Sequence, residues 1–547
     1  MPLIEHAGRM RFGAVATEYA SMSATYIVSR EEDANGNFIC YAITDGKGAV
    51  QATFVNEDEG NDAIQWAVDH LPAKGGTIFL KAGTYIATGT FSDPAPAIKI
   101  TTNNVRLVGE GWASVIKVAD GTTKEDEGIN LLAIDADNIV LENFQIYGNY
   151  ENNTPISSTS DGYNIHTSAK NKLVVRNVLS QHGTGDGIEI LGSDVIVDSC
   201  QFIENYEQGV HVHASKDVVV SNNLFKRCVN DGSMHVWNGA SDSWTERLVV
   251  SDNTFEDDSE EAIRMVTDNN LRDITVSGNV IKNPGASGIG IDTAQKIENL
   301  HIFGNTVERA GSSGVRIRGN GSNWKIEDNL VRLSQTHGFA FVGWNAALNG
   351  LFVHGNSAVD NNQQDGINRG FSFENNDFDW ENVHVWGNQA ISTATPYHDY
   401  GFLVASAGTG TYTDAYFWNN KTKLIKSNFQ YYGKIITLGE NCAPGPLRQR
   451  WSGNFAIDST GTKTISLGYT RFGDDSKTVD PNLEDIQLSI AEVDDVDDWN
   501  YGFVKVVGIF AGAPRIDVMV NVTSASATSG AQAKVVMWID STVQITA

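Results

Sequence analysis

Between Asp161 and Val266, five segments place acid, imidazole and guanidinium side chains at the same point of a repeating apolar pattern. They read DGYNIHTSA, DGIEILGSD, QGVHVHASKD, GSMHVWNGA and EAIRMVTDN. Alternate side chains of a strand point to opposite faces. Tyr163/Ile165, Ile188/Ile190, Val210/Val212, Met234/Val236 and Ile263/Met265 are therefore predicted to face a core. Asn164/His166, Glu189/Leu191, His211/His213, His235/Trp237 and Arg264/Val266 are predicted to face outward. With strands ~4.8 Å apart, Asp161, Asn164, His166, Asp186, Glu189, His211, His213, His235 and Arg264 gather into one patch. Asp292, Arg316 and Arg318 continue its columns.

Imidazoles beside carboxylates suit general acid and base catalysis near neutral pH. Arginines can neutralise a substrate carboxylate and so acidify the proton next to it. Removing the C5 proton of a uronic acid needs both. Loss of the 4-linked sugar then makes a lyase, and reprotonation from the other side makes a C5-epimerase. His211 or His166 is the expected base or acid, with Arg264 and Arg316 or Arg318 holding the carboxylate. Asn164, Trp237 and Asp292 complete the substrate wall, and Trp237, Trp244 and Trp344 offer flat platforms for sugar rings. A glycoside hydrolase is the alternative, using Asp161, Asp186 and Glu189; inverting enzymes hold two carboxyls ~6.5–9.5 Å apart. A third possibility is a spike that grips glycan without catalysis. His211, His213 and His235 are also of the type that ligates metals. The acidic runs DDSEEA and EVDDVDDW can attract Ca2+, although no GGxGxDxUx calcium repeat accompanies them. A single outward histidine is ordinarily plain surface; three imidazoles and two arginines in shared columns are not.

The elements that must carry these residues form a repeat. Asn143, Asn177, Asn223, Asn253, Asn279, Asn305, Asn329, Asn356, Asn388 and Asn420 each follow a short apolar strand, and Cys200 fills the same slot. A second column of small residues runs Gly162, Gly187, Gly209, Ser233, Ala262, Gly288, Gly314, Gly338, Gly370, Gly401. One coil per repeat, with stacked asparagines at one corner and glycines at another, predicts a right-handed parallel β-helix. The expected organisation is all-β: an N-terminal cap over residues 1–74, the β-helix over 75–438 and a β-sandwich over 452–547 for oligomerisation or carbohydrate binding. The cap should contain a hairpin about Asn35-Gly36. It should also contain a helix with Ala63, Ile64, Ala67 and Leu71 on one face behind an Asn61 N-cap.

The 547-residue chain carries a formal charge of −28, which argues against nucleic-acid binding. Its 53 glycines against 11 prolines suit many tight corners, and its four dispersed cysteines suit buried thiols rather than a disulfide frame. No apolar run reaches membrane-spanning length. The opening MPLIEHAGRMRFG lacks a secretory pattern.

The coils from Asp161 to about Asn320 resemble the module of mannuronan C5-epimerases and related polysaccharide lyases. The resemblance rests on DGYNIHTSAKNKLVVRN and SSGVRIRGN. It implies a catalytic role for His166, with Asn164 where that family has aspartate and Asp161 where it has tyrosine. The same coils resemble polygalacturonases through Ser160-Asp161-Gly162, Gly185-Asp186-Gly187 and RIRG at 316–319. The order of cap, β-helix and sandwich resembles phage tailspike depolymerases. That likeness implies an extracellular or virion-associated homotrimer acting on a polysaccharide.

Overall fold

Strands of alternating Val, Ile and polar residues are too short to bury an apolar face alone, and stacking coils solves the problem. The computed structural model describes residues 24–541 with interruptions, the longest before residue 400 being 90–95, 123–129, 154–161, 238–243, 362–368 and 394–399. Beyond residue 422 it describes strand backbones alone. Parallel strands form a 26-stranded sheet and a 13-stranded sheet that wind about one core. In that core Ile165, Ile188, Val210, Met234, Ile263, Ile289, Val315 and Phe339 follow one another in register, all buried. Phe202, Phe225 and Phe255 stack with centroids 5.1 and 4.6 Å apart, and Phe339, Phe371 and Phe402 with 4.8 and 4.7 Å. The small column exists because these rings press on it. A Cβ on Gly209 would sit 2.6 Å from Phe225 Cδ1.

The cap closes the first coil. Tyr26–Glu32 and Phe38–Asp45 form the hairpin, turning through Gly36 at φ +82°, and Tyr26–Val28 also pairs in parallel with Ile78–Leu80. The helix Gly60–Asp69 buries Ala63, Ile64 and Ala67. Glu59 rather than Asn61 stands at its N-cap. Asn61 instead accepts the Thr88 N–H at 3.3 Å, stitching the helix to the first coil. Parallel pairing continues to Ala443–Pro444. Past it lie two three-stranded antiparallel sheets within Leu447–Ser541. Among the described residues no helix is long and apolar enough to cross a membrane.

At the asparagine corner each amide is used completely. Asn279 donates both its backbone N–H (3.0 Å) and its Nδ2 (2.9 Å) to Asn305 Oδ1, while its Nδ2 also reaches Val250 O at 2.9 Å. The pattern repeats from Asn223 to Asn420, and Cys200 N–H opens it by donating to Asn223 Oδ1 at 2.8 Å. Asn143 and Asn177, expected in this column, lie one residue before it. They adopt φ +59° and +49° in the left-handed column shared with Ser199, Asn222, Asp252 and Gly278. Two neighbouring slots favour asparagine for different reasons: one needs an amide inside the ladder, the other tolerance of positive φ.

Asn305→Ala should strand both Asn279 donors and Val276 O. Each buried orphan costs about 1–3 kcal/mol, so a loss of roughly 3 kcal/mol or more is expected. Asn177→Ala should cost about 1 kcal/mol, mainly from its positive φ. Denaturant melts of the two variants followed by circular dichroism check this; equal losses would mean the ladder is not what holds the corner.

Candidate active site

One outward column reads, rung by rung, His166, Glu189, His211, His235, Arg264, Gly290, Arg316. Beside it His213 pairs with Leu191, and Asp292 stands between Val266 and Arg318. The strands bring together what the chain separates by more than a hundred residues.

At its centre is a nest of imidazoles and carboxylates. Asp186, 1 % exposed, holds His211 Nδ1 at 2.9 Å and accepts the Gln208 backbone N–H at 3.0 Å. With its amide nitrogen turned inward, the Gln208 side chain donates to the same carboxylate. An ionised carboxylate only accepts, so Asp186 fixes the His211 proton on Nδ1 and leaves the lone pair on Nε2. Glu189 is also buried, with Oε2 3.1 Å from His166 Nε2 and Oε1 3.0 Å from His213 Nε2. The second contact is close but not aligned as a hydrogen bond. His235 stacks on His211 with centroids 5.0 Å and planes 9° apart. Both its ring nitrogens are buried without a hydrogen-bond partner among the described residues. Burial first, then the neighbouring His211, Arg264 and His213, hold His235 well below the usual imidazole pKa. Trp237, 42 % exposed, stands at the lip, 5.6 Å edge-on from His213.

Further along, Asp292 Oδ2 pairs with Arg316 Nη2 at 3.0 Å, and its Oδ1 lies 3.7 Å from Arg318 Nη1. Arg318 lies 3.9 Å over Trp344. Glu261 enters this wall unexpectedly. Gly290 leaves an empty place in the column, and Glu261 Cγ lies 2.8 Å from where a Gly290 Cβ would be. Burial raises the Glu261 carboxyl, while Arg264 and Arg316 oppose the rise.

The structure thus gathers His166, Asp186, Glu189, His211, His213, His235, Trp237 and Arg264, with Asp292, Arg316 and Arg318 following along the wall. Asn164 is a correction. It is 2 % exposed and turned inward, its Nδ2 3.0 Å from Ser180 Oγ and 3.3 Å from Gln181 O. It occupies the small-residue slot of its coil, because His166, not Asn164, pairs with Glu189. The amide fits only where Gly148 and Gly183 lack a Cβ, whose ideal positions lie 2.7 and 3.2 Å from Asn164 atoms. Asp161 lies outside the described residues. Trp244 sits on a separate strand segment, under Arg272 at 3.9 Å. Gln208 and Glu261 were not predicted. A glycine in an outward slot between two arginines was the available signal for Glu261.

The family described as "Right handed beta helix region" matches residues 98–247, 165–331 and 244–428, together well over half of the chain. The chain belongs to that family of right-handed parallel β-helix proteins. No curated protein matches it. Solved structures similar to it include the following three. The A-module of mannuronan C-5 epimerase AlgE6 from Azotobacter vinelandii shares 16 % identity over 69 % of this chain and 93 % of that one, with a TM-score of 0.41. A tailspike protein mutant of E. coli bacteriophage HK620, in complex with pentasaccharide, shares 12 % identity over 91 % and 92 %, with a TM-score of 0.46. An exopolygalacturonase from Thermotoga maritima shares 12 % over 69 % and 87 %, with a TM-score of 0.36. Identities this low leave the chemistry to the residues themselves.

One further carboxyl has an unusual setting. Asp258 is 3 % exposed, and burial pushes its pKa up to about 7. Ser233 and the backbone at Arg227 and Cys228 come near enough to oppose the rise, yet neither oxygen is geometrically hydrogen-bonded among the described residues. The unfolded chain releases this proton near pH ~3.9, whereas the fold keeps it to about 7. The stability it contributes is therefore full below about pH 4 and lost as pH climbs to about 7. Asp258→Asn should remove that dependence. Its stability relative to the parent should rise by on the order of 4 kcal/mol across this window. Denaturant midpoints of both proteins at several pH values check this; a constant difference would show that Asp258 does not titrate there.

Proposed function

We propose that this protein acts on a uronic-acid-containing polysaccharide and removes the C5 proton of a uronate residue, as a lyase or C5-epimerase. The observation that supports this best is the Asp186–His211 pair at 2.9 Å, two rungs from Arg264 in the same column. Rungs are ~4.8 Å apart, and a long guanidinium arm can cover that interval. His211 Nε2 takes the proton, and Asp186 stabilises the imidazolium that results. The C5–H electron pair moves into the uronate carboxylate, whose growing charge Arg264 neutralises, with Arg316 farther along the chain of sugars. The pair then expels the O4 leaving group, forming a C4–C5 double bond, or recaptures a proton from the opposite face. Glu261, its carboxyl raised by burial, is the proton donor in this reading, to C5 in the epimerase or to the departing O4 in the lyase. Trp237 and Trp344 present rings for neighbouring sugars. An extracellular or virion-associated setting and a homotrimeric assembly belong to the same reading.

Incubation with a panel of acidic and neutral polysaccharides tests it. The expected result on one acidic polymer is new ultraviolet absorbance from unsaturated uronate, or an altered uronate configuration by NMR. His211→Ala should slow turnover about 10²–10⁴-fold, the range for losing a general base. Arg264→Ala should lose activity on the acidic polymer while the circular dichroism spectrum is kept. Reducing ends without unsaturation would replace this reaction with hydrolysis, and binding without change to any polymer would leave a glycan-gripping spike.

A further inference from the structure

We infer that Glu189, His211 and His213 form a binding site for one divalent transition-metal ion of the zinc class. One ligand atom from each of the three lies within 4.8 Å of the others. Donors around a tetrahedral ion with bonds of ~2.0–2.1 Å sit roughly 3.3 Å apart, so little movement is needed to close on one. The His213–Glu189 contact carries the same message. Nε2 and Oε1 are 3.0 Å apart but not aligned for a hydrogen bond, as expected of two donors aimed at a common third point.

Two independent features support the site. Asp186 holds the Nδ1 side of His211, so Nε2 is the nitrogen that can ligate; a carboxylate behind a ligating imidazole is the usual way a protein orients such a ligand. His235 is the second. Only 6 % exposed, it lies flat on His211, with neither ring nitrogen hydrogen-bonded among the described residues. A buried polar side chain left so incurs a real cost unless something absent from the bare chain uses the space. Two imidazoles and one carboxylate are the donor set of zinc-type sites and leave a position open for water or a substrate oxygen. They are a poor set for calcium, which collects six to eight oxygens at about 2.3–2.6 Å.

The inference rests on the same nest as the proposed reaction, but not on that reaction. If the ion is present, His211 serves as its ligand, and the ion rather than the bare imidazole faces the glycan. The test needs no polymer. Full-length protein stripped with EDTA is titrated calorimetrically with Zn2+, and in parallel with Co2+ while visible absorption is recorded. One ion per chain is expected, with cobalt bands typical of a low-coordinate nitrogen and oxygen centre. Glu189→Gln and His213→Gln, both close in volume, should weaken binding more than about 100-fold, and Asp186→Asn about 10–100-fold. Thermal melts show whether each variant is folded, and Arg332→Ala, at an exposed position on the 13-stranded sheet, should bind as the parent does. No saturable binding, or equal affinity in the folded Glu189→Gln and His213→Gln variants, would overturn the site. Displacement of zinc by millimolar calcium would overturn its class. Failure of this titration leaves the proton-abstraction proposal untouched, and failure of the polymer assay leaves the titration result standing.

Discussion

Among the described residues, strand N–H groups of the coils donate to the coil before or the coil after, and that one requirement dictates the rest. It fixes the spacing between rungs at ~4.8 Å and forces residues of like position into columns. The asparagine ladder pins the phase of those columns, because a slip of one residue would remove both donors from each Oδ1 from Asn253 to Asn420. Before Cys200 the ladder slot holds Phe144 and Val178, and a side-chain bond from Asn177 to Asn143 (2.8 Å) links the left-handed column instead. The polar wall lies mostly where amide ladder and apolar core act together.

What the sequence made legible was whatever repeats. Val/Ile alternation and the recurring asparagine announced the coil, and the shared register of Glu189, His211, His235 and Arg264 followed from it. The failures come at corners. Asn164 lies within the strand Tyr163–Thr167, but its register sets it opposite Gly187 in the small-residue column, so a residue two before an outward histidine is nonetheless inside. Asp161-Gly162 imitates Asp186-Gly187 closely enough to draw the first coil two residues out of phase. The asparagine error has a similar origin: Asn222 and Asn223 are adjacent, one at φ +57° and the other in the ladder, and composition alone does not say which slot Asn177 fills. Glu261 eluded the pattern because its own backbone position is not outward in the column. It reaches the wall through the space that Gly290 leaves.

The wall also departs from the bulk electrostatics. The chain carries −28, yet here cationic and titratable basic groups are collected and three of the acids pair with them. Asp186 holds His211, Glu189 lies between His166 and His213, and Asp292 lies between Arg316 and Arg318. Such pairing limits the penalty of burying charge, but it seldom yields net stability over apolar residues of the same volume.

The same column shows that the coil does not need this chemistry. Three rungs after Arg264, register places Ala340, then Ser372 and Leu403, with strand pairing undisturbed. Side chains of that kind would satisfy the fold at His235 as well, without two ring nitrogens that find no hydrogen-bond partner among the described residues and cost about 1–3 kcal/mol apiece. A position that carries such a penalty where the scaffold offers a neutral alternative is held for what it binds or moves. In this wall His235 carries that penalty at both ring nitrogens, stacked on the His211 of the Asp186–His211 pair. Stability alone gives no reason for an imidazole there, and its place against that pair is the strongest physical reason to locate the chemistry on these rungs.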